Sequence, residues 1–230
     1  MPGHKKGRAG RRGKKAMLKI SVVVSTYRRL ENLERILGAW LFQTPDVWLA
    51  DSSGKFKTTL PINHVRFSPD PGNKTRHAVA LLTAGDYVIK ADDDVIPKPG
   101  LIEDFLEHYR LCGILGVMGR TYHGPKYYGN TKPVRAREIS EPKKVDMVGI
   151  VTFSPRRYLP FDLRGCKSSI EDIFWHNKIF PTVPKYVIPT DRYKQLNESD
   201  DKQCLFRSKS ARIERQAFYK TYYGAHYHGR

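Results

Sequence analysis

A chain of 230 residues with 40% hydrophobic content is long enough for one sizeable α/β core and short for two. Its 41 Lys and Arg against 23 Asp and Glu leave a net charge of +18, which points to a polyanionic partner or surface. The three scattered cysteines, Cys112, Cys166 and Cys204, argue against a disulfide framework or a paired-cysteine zinc site, and no apolar run reaches bilayer length. The expected setting is therefore reducing and cytoplasmic, or the host cytoplasm if the protein is viral, with no membrane span.

The first 16 residues read as a disordered basic arm. Lys5, Lys6, Arg8, Arg11, Arg12, Lys14 and Lys15 alternate with glycines and no acid interrupts them. Such an arm can follow a phosphate backbone, and no apolar face accompanies its charge to suggest a membrane surface instead. There is also no apolar segment or cleavage site of a signal peptide. The arm holds only part of the excess, so the body from residue 17 to 230, read as a single domain with a basic carboxy-terminal extension, is basic as well.

Ile20 to Ser25 is a first strand that breaks into the polar turn Thr26-Tyr27-Arg28-Arg29, followed by a helix with Leu30, Leu33, Leu37, Trp40 and Leu41 on one face. Val47 to Ala50 is a short second strand closing on Asp51. That carboxylate could accept hydrogen bonds from a base or ribose, or could cap the turn through Ser52, Ser53 and Gly54. After Val65 to Phe67 and the turn Pro69-Asp70-Pro71-Gly72, a helix opens at Asn73. Its amino terminus offers backbone N–H groups with Lys74 and Arg76 as a phosphate or nucleobase cradle. Tyr87 to Ala91 is a buried strand running into Asp92, Asp93 and Asp94. Carboxylates at a strand's carboxyl end suit a hard divalent ion that leaves positions open for phosphate oxygens. Leu101, Ile102, Phe105, Leu106 and Tyr109 then repeat at helical spacing.

Ile114 to Met118 is another strand. From Gly119 to Lys144 the chain is polar, rich in Gly, Pro and Tyr, and carries Arg120, Lys126, Lys132, Arg135, Arg137, Lys143 and Lys144, with Tyr122, Tyr127 and Tyr128 interleaved. Cations for phosphates and rings for exposed bases suit nucleic acid, although a solvated active-site loop has the same composition. Val145 to Phe153 is a strand. Ser168 or Ser169 caps a helix with Glu171 and Asp172 in its first turn, where the helix dipole favours negative charge. A last helix is expected over 208–223, and the chain closes with His226 and His228.

The first strand with its basic turn, the Asp92-Asp93-Asp94 run and the later Glu171-Asp172 pair together resemble the GT-A glycosyltransferases, in particular the large inverting family 2, over roughly residues 18–180. The resemblance implies an α/β fold of the GT-A type, a Rossmann-like mixed sheet flanked by helices. It also implies a Mn2+ or Mg2+ ion at Asp92 and Asp94 and a nucleotide-sugar held by Thr26, Tyr27, Arg28, Asp51, Lys74, Arg76, Asp92 and Asp93, with UDP-glucose the favoured donor. Thr75-Arg76-His77-Ala78 is similar to a Thr-Arg-aromatic-Ala segment that contacts the nucleotide in that family, which favours Arg76 over Lys74. Asp172, with Glu171 as its rival, would be the base that deprotonates the acceptor. His226 and His228 could fold back as metal ligands, as carboxy-terminal histidines do in some GT-A enzymes.

The charge narrows the acceptor. A basic transferase without membrane segments points to an anionic acceptor, and the reading adopted here is duplex DNA carrying a hydroxymethylated base such as hydroxymethyluracil, similar in role to phage and kinetoplastid enzymes. Lys5 to Lys15, Arg135 and Arg137 would bind the DNA. The alternatives are a polysaccharide, teichoic acid or protein acceptor, or a non-catalytic nucleic-acid-binding protein on a transferase scaffold.

Overall fold

In the computed structural model the described residues are 18–124, 126–127, 131–160, 162–196 and 209–227, with the side chains of 168 and 222–227 excepted. The basic arm, Tyr128, Cys204 and His228 lie outside them.

Burial explains why the centre of the fold is where it is. Every residue of β1 (Ile20–Thr26) is buried, as expected of a strand covered on both faces. It lies between β2 (Val47–Asp51) and β4 (Tyr87–Asp92), parallel to both, and β3 (Asn63–Arg66) extends the parallel half beyond β2. Beyond β4 the sheet becomes mixed. Strand β9 (Met147–Pro155) runs antiparallel between β4 and β6 (Ile114–Tyr122), then come β10 (Lys185–Val187) and β8 (Lys143–Val145). Strand β7 (Thr131–Arg135) folds back along β6. A separate two-stranded ribbon pairs β5 (Val95–Pro97) with β11 (Tyr193–Gln195). The fold is α/β with a mixed sheet flanked by helices, compatible with a Rossmann-like arrangement.

Helix α1 (Leu33–Leu41) buries Leu33, Ile36, Leu37 and Trp40 at helical spacing, so the apolar stripe includes Ile36 and leaves Leu30 and Leu41 at its margin. Helix α2 (Thr75–Leu82) follows a single 3-10 turn over Gly72–Lys74 and packs on β1, β2 and β4. Helix α3 (Leu101–His108) buries Leu101, Ile102 and Phe105, the first residues of its expected stripe.

Two expectations need correction. The stretch 119–144 is not one loop, because β6 continues to Tyr122 and β7 pairs with it from Met118 to Tyr122. The helix expected after Ser169 is a 3-10 turn (Ser168–Ile170), one α turn, α4 (Glu171–Ile173), and a π-helix over Phe174–Ile179. Wide π turns are frequent at functional sites. Helix α5 (Lys209–Tyr227) docks against this segment, burying Tyr219 among Tyr122, Tyr127, Met147 and Ile173. Among the described residues no helix is long and apolar enough to cross a membrane.

Candidate functional site

The carboxyl ends of β1 and β4 open into a cleft of about 550 Å³ whose opposite wall is built by β6, β7, β9, α4 and α5. In open α/β sheets ligands bind in this position.

Asp92 closes β4, and Arg76 at the start of α2 meets it at 2.6 Å. Burial opposes the charge on Arg76, but Asp92 and Glu171 outweigh it and hold the guanidinium protonated. Thr26 Oγ1 donates to Asp93 at 2.9 Å, while Arg29 bridges Asp93 at 3.4 Å and Asp94 at 2.7 Å. Burial pushes the Asp93 carboxyl up to about 6, with Arg29 and Thr26 pulling the other way. Tyr27 lies half exposed at the mouth with Arg28 stacked 4.7 Å over its ring.

The carboxylates of Asp92 and Asp94 are hard oxygen donors of the kind a divalent ion requires, and both line the cleft. Among the described residues no three His, Cys, Asp or Glu side chains already converge into a metal-holding group. The donor chemistry thus fits such an ion, with Arg29 and Arg76 as its competitors. The ligand role expected of His226 and His228 falls outside the described side chains and residues.

The opposite wall places two adjacent carboxylates in different surroundings. Glu171 is buried and pairs with His77 Nε2, whose Nδ1 lies 3.4 Å from Lys90 Nζ. Burial would raise the Glu171 carboxyl, but Arg76, His77 and Lys90 bring it down to about 2. Burial, then Lys90, lowers His77 to about 4, so His77 is neutral, donates from Nε2 and accepts at Nδ1. Lys90 is itself buried, 2.8 Å from the centre of the Trp175 ring, and burial drives its ammonium well below its usual value. Asp172 instead stands at the cleft wall, about one-third exposed, and accepts from Arg215 Nη2 at 2.7 Å. The same guanidinium donates to Tyr127 Oη at 2.8 Å and to the Ser169 carbonyl at 2.9 Å. Three acceptors fix Arg215, and Arg215 fixes Asp172.

Other expected site residues are placed differently. Asp51 is buried, and its oxygens take the Ser53 and Gly54 amides, the Ser53 hydroxyl at 2.5 Å and His64 at 3.1 Å. It acts as the turn cap, and the neighbouring Ser52 lines the cleft in its place. Lys74 faces a separate open depression with Phe67, Pro71, Asp162 and Arg164, whereas Arg76 faces the cleft. Arg135 lies on the rim and pairs with Glu138 at 3.0 Å, both well exposed. Arg137 stacks on Tyr193 and donates to its carbonyl away from the cleft. Tyr122 and Tyr127 are buried against Tyr219, so neither ring is available to stack on a base.

Sequence reasoning missed Lys90, His77 as a charged-network member, Thr152, His176 and Arg215. Only Lys90 carried a signal, since a lysine inside an apolar strand needs a partner. No protein-family model matches this chain, and no curated protein is significantly similar to it, so its function is read from the cleft's own chemistry.

Proposed function

We propose that this protein is a GT-A-type inverting glycosyltransferase that moves a hexose, glucose in the favoured case, from a UDP-sugar to a hydroxyl on a modified DNA base. The observation carrying the proposal is that Asp92, Asp93 and Asp94 face Glu171 and Asp172 across one cleft, with arginines from the turn after β1, from α2 and from α5 among them.

Asp92 and Asp94 would hold a Mn2+ or Mg2+ ion, which supplies charge neutralisation for the departing diphosphate. Arg29 and Arg76 add fixed positive charge on the same side, and Thr26 orients Asp93. Asp172 accepts the proton of the acceptor hydroxyl. The acceptor oxygen forms its bond to the anomeric carbon while the bond from that carbon to the diphosphate oxygen breaks, its electron pair leaving with the phosphate. Arg215 keeps Asp172 oriented toward the cleft before that step. Inversion is what the likeness to family 2 implies.

DNA as the acceptor is supported by the net charge of +18 and by Arg120 and Arg135 on the cleft rim. A base hydroxyl inside a duplex would be reached by flipping the base out. Incubating hydroxymethyl-base DNA with the protein, manganese and a panel of nucleotide sugars, followed by nucleoside mass spectrometry, tests both halves. A hexose added by the wild type and not by Asp172→Ala is the expected result. Nucleotide release with unmodified DNA would leave a transferase whose acceptor is something else.

A further inference from the structure

The floor of the cleft carries polar atoms that the transfer described above does not use. Strands β4 and β9 pair antiparallel with Lys90 opposite Thr152, so these two side chains emerge together on one face. Thr152 is 6% exposed and its Oγ1 has no hydrogen-bond partner among the described residues. His176, fully buried on the π-helix, donates from Nε2 to the Val148 carbonyl at 2.8 Å. A carbonyl only accepts, so Nε2 carries the hydrogen and Nδ1 is left as a lone-pair acceptor. That Nδ1 also has no partner among the described residues. Burial opposes protonation of His176, which keeps Nδ1 an acceptor. Both residues line the cleft, and the Trp175 indole lies beside His176 with ring centres 4.3 Å apart.

Two buried polar atoms left unsatisfied cost stability unless a ligand completes them. Their chemistry limits which ligand can do so. Thr152 can donate or accept, and His176 Nδ1 can only accept. A hydroxyl both donates and accepts and so satisfies the pair. A carboxylate or phosphate oxygen has no proton for His176 and would meet it lone pair to lone pair.

We infer that Thr152 and His176 form a hydroxyl-binding subsite that selects a neutral sugar ring over an anionic one such as a uronate. The inference rests on the nucleotide-sugar reading of the cleft and adds the sugar class.

Calorimetric titration of the full chain in manganese with UDP, UDP-glucose and UDP-glucuronic acid tests it. UDP-glucose is expected to bind more tightly than UDP, and UDP-glucuronic acid no more tightly than UDP. Thr152→Val should leave UDP binding unchanged and lose about tenfold of the affinity that glucose adds, while Thr152→Ser keeps it. A thermal melt of each variant checks that both are folded. Equal glucose increments in wild type and Thr152→Val, or preferred binding of the uronate, would overturn the subsite. No binding of UDP at all would overturn the nucleotide-sugar reading and the subsite with it, whereas UDP binding with no increment from glucose would overturn the subsite alone.

Discussion

The two walls of the cleft are held by different physics. The wall at β1 and β4 is built by neighbouring strands: Thr26 at the end of β1, Arg29 in the turn after it and Arg76 on the helix packed against them reach Asp92, Asp93 and Asp94. The facing wall is assembled around a docked helix. Arg215 on α5 holds Asp172 on α4, Tyr219 seals Tyr122 and Tyr127 beneath it, and His77 on α2 reaches across to Glu171. A wall made by strand order persists as long as the sheet does. A wall made by a docked helix can be lost while the rest of the fold remains.

Breaking the chemistry on the second wall should have the largest effect. Asp172→Ala is expected to lower the transfer rate roughly 10²- to 10⁴-fold, the usual contribution of a general base, with nucleotide-sugar binding nearly unchanged. Single-turnover assays read the first and calorimetry the second. If Glu171→Gln has the larger effect and also unfolds nothing, the roles of the two carboxylates are exchanged.

Undocking α5 comes next. Tyr219 is fully buried, packs at 4.8 Å from Tyr122 and 5.3 Å from Tyr127, and donates to the Gly124 carbonyl at 2.9 Å. Tyr219→Ala should remove about 3–5 kcal/mol from the docking of that helix. Hydrogen exchange should then show 209–221 losing protection while β1 keeps its own. Uniform loss across both would mean that the helix and sheet form a single cooperative unit.

A smaller effect follows from pH. The folded state holds His77 near 4 against about 6.5 when unfolded, so the unfolded chain takes up that proton first. Stability contributed by neutral His77 is complete above pH 6.5 and is lost as pH falls toward 4. Glu171, held near 2, continues the loss from about 4.5 downward, and the raised Asp93 works in the opposite sense between about 4 and 6. The unfolding free energy should therefore drop more on acidification in wild type than in His77→Gln, by on the order of 3 kcal/mol, read from denaturant melts across this pH range. Parallel curves would mean that His77 does not titrate in this window.

The smallest effect belongs to the rim. Arg135→Ala removes an exposed ion pair with Glu138 and should change stability by less than about 0.5 kcal/mol. If the rim contacts phosphate, duplex affinity should fall and the slope of log affinity against log salt should shrink by about one. An unchanged slope would remove Arg135 from the interface.

Much of the first wall was legible in the residues because its signals are short-range. An apolar strand, a basic turn and an acidic run each occupy fewer than ten residues, and strand periodicity places their polar ends together. Arg76 was preferred to Lys74 only through the likeness of Thr75-Arg76-His77-Ala78 to a Thr-Arg-aromatic-Ala segment, and its contact with Asp92 is what shows which of the two faces the cleft. The second wall was half legible. Glu171 and Asp172 stand out as a pair, but their division into a buried partner of His77 and an exposed partner of Arg215 depends on contacts spanning 94 and 43 positions. The tyrosines show the same limit. Their interleaving with cations suggested base stacking, and helix α5, far along the chain, instead buries Tyr122 and Tyr127.

Strand β9 also bends where it meets the cleft. Ile150 and Val151 stand opposite the single residue Val117 of β6, and Ile150 adopts a left-handed conformation at φ +68°. That conformation is costly for a β-branched residue, and hydrogen bonding to β4 and β6 on either side holds it there. The shape of this part of the wall is thus set by backbone that cannot relax without breaking two ladders. An incoming ligand meets a preformed surface there, so association at this wall should proceed as rigid docking in a single kinetic phase, with any slower step coming from the helix on the far side.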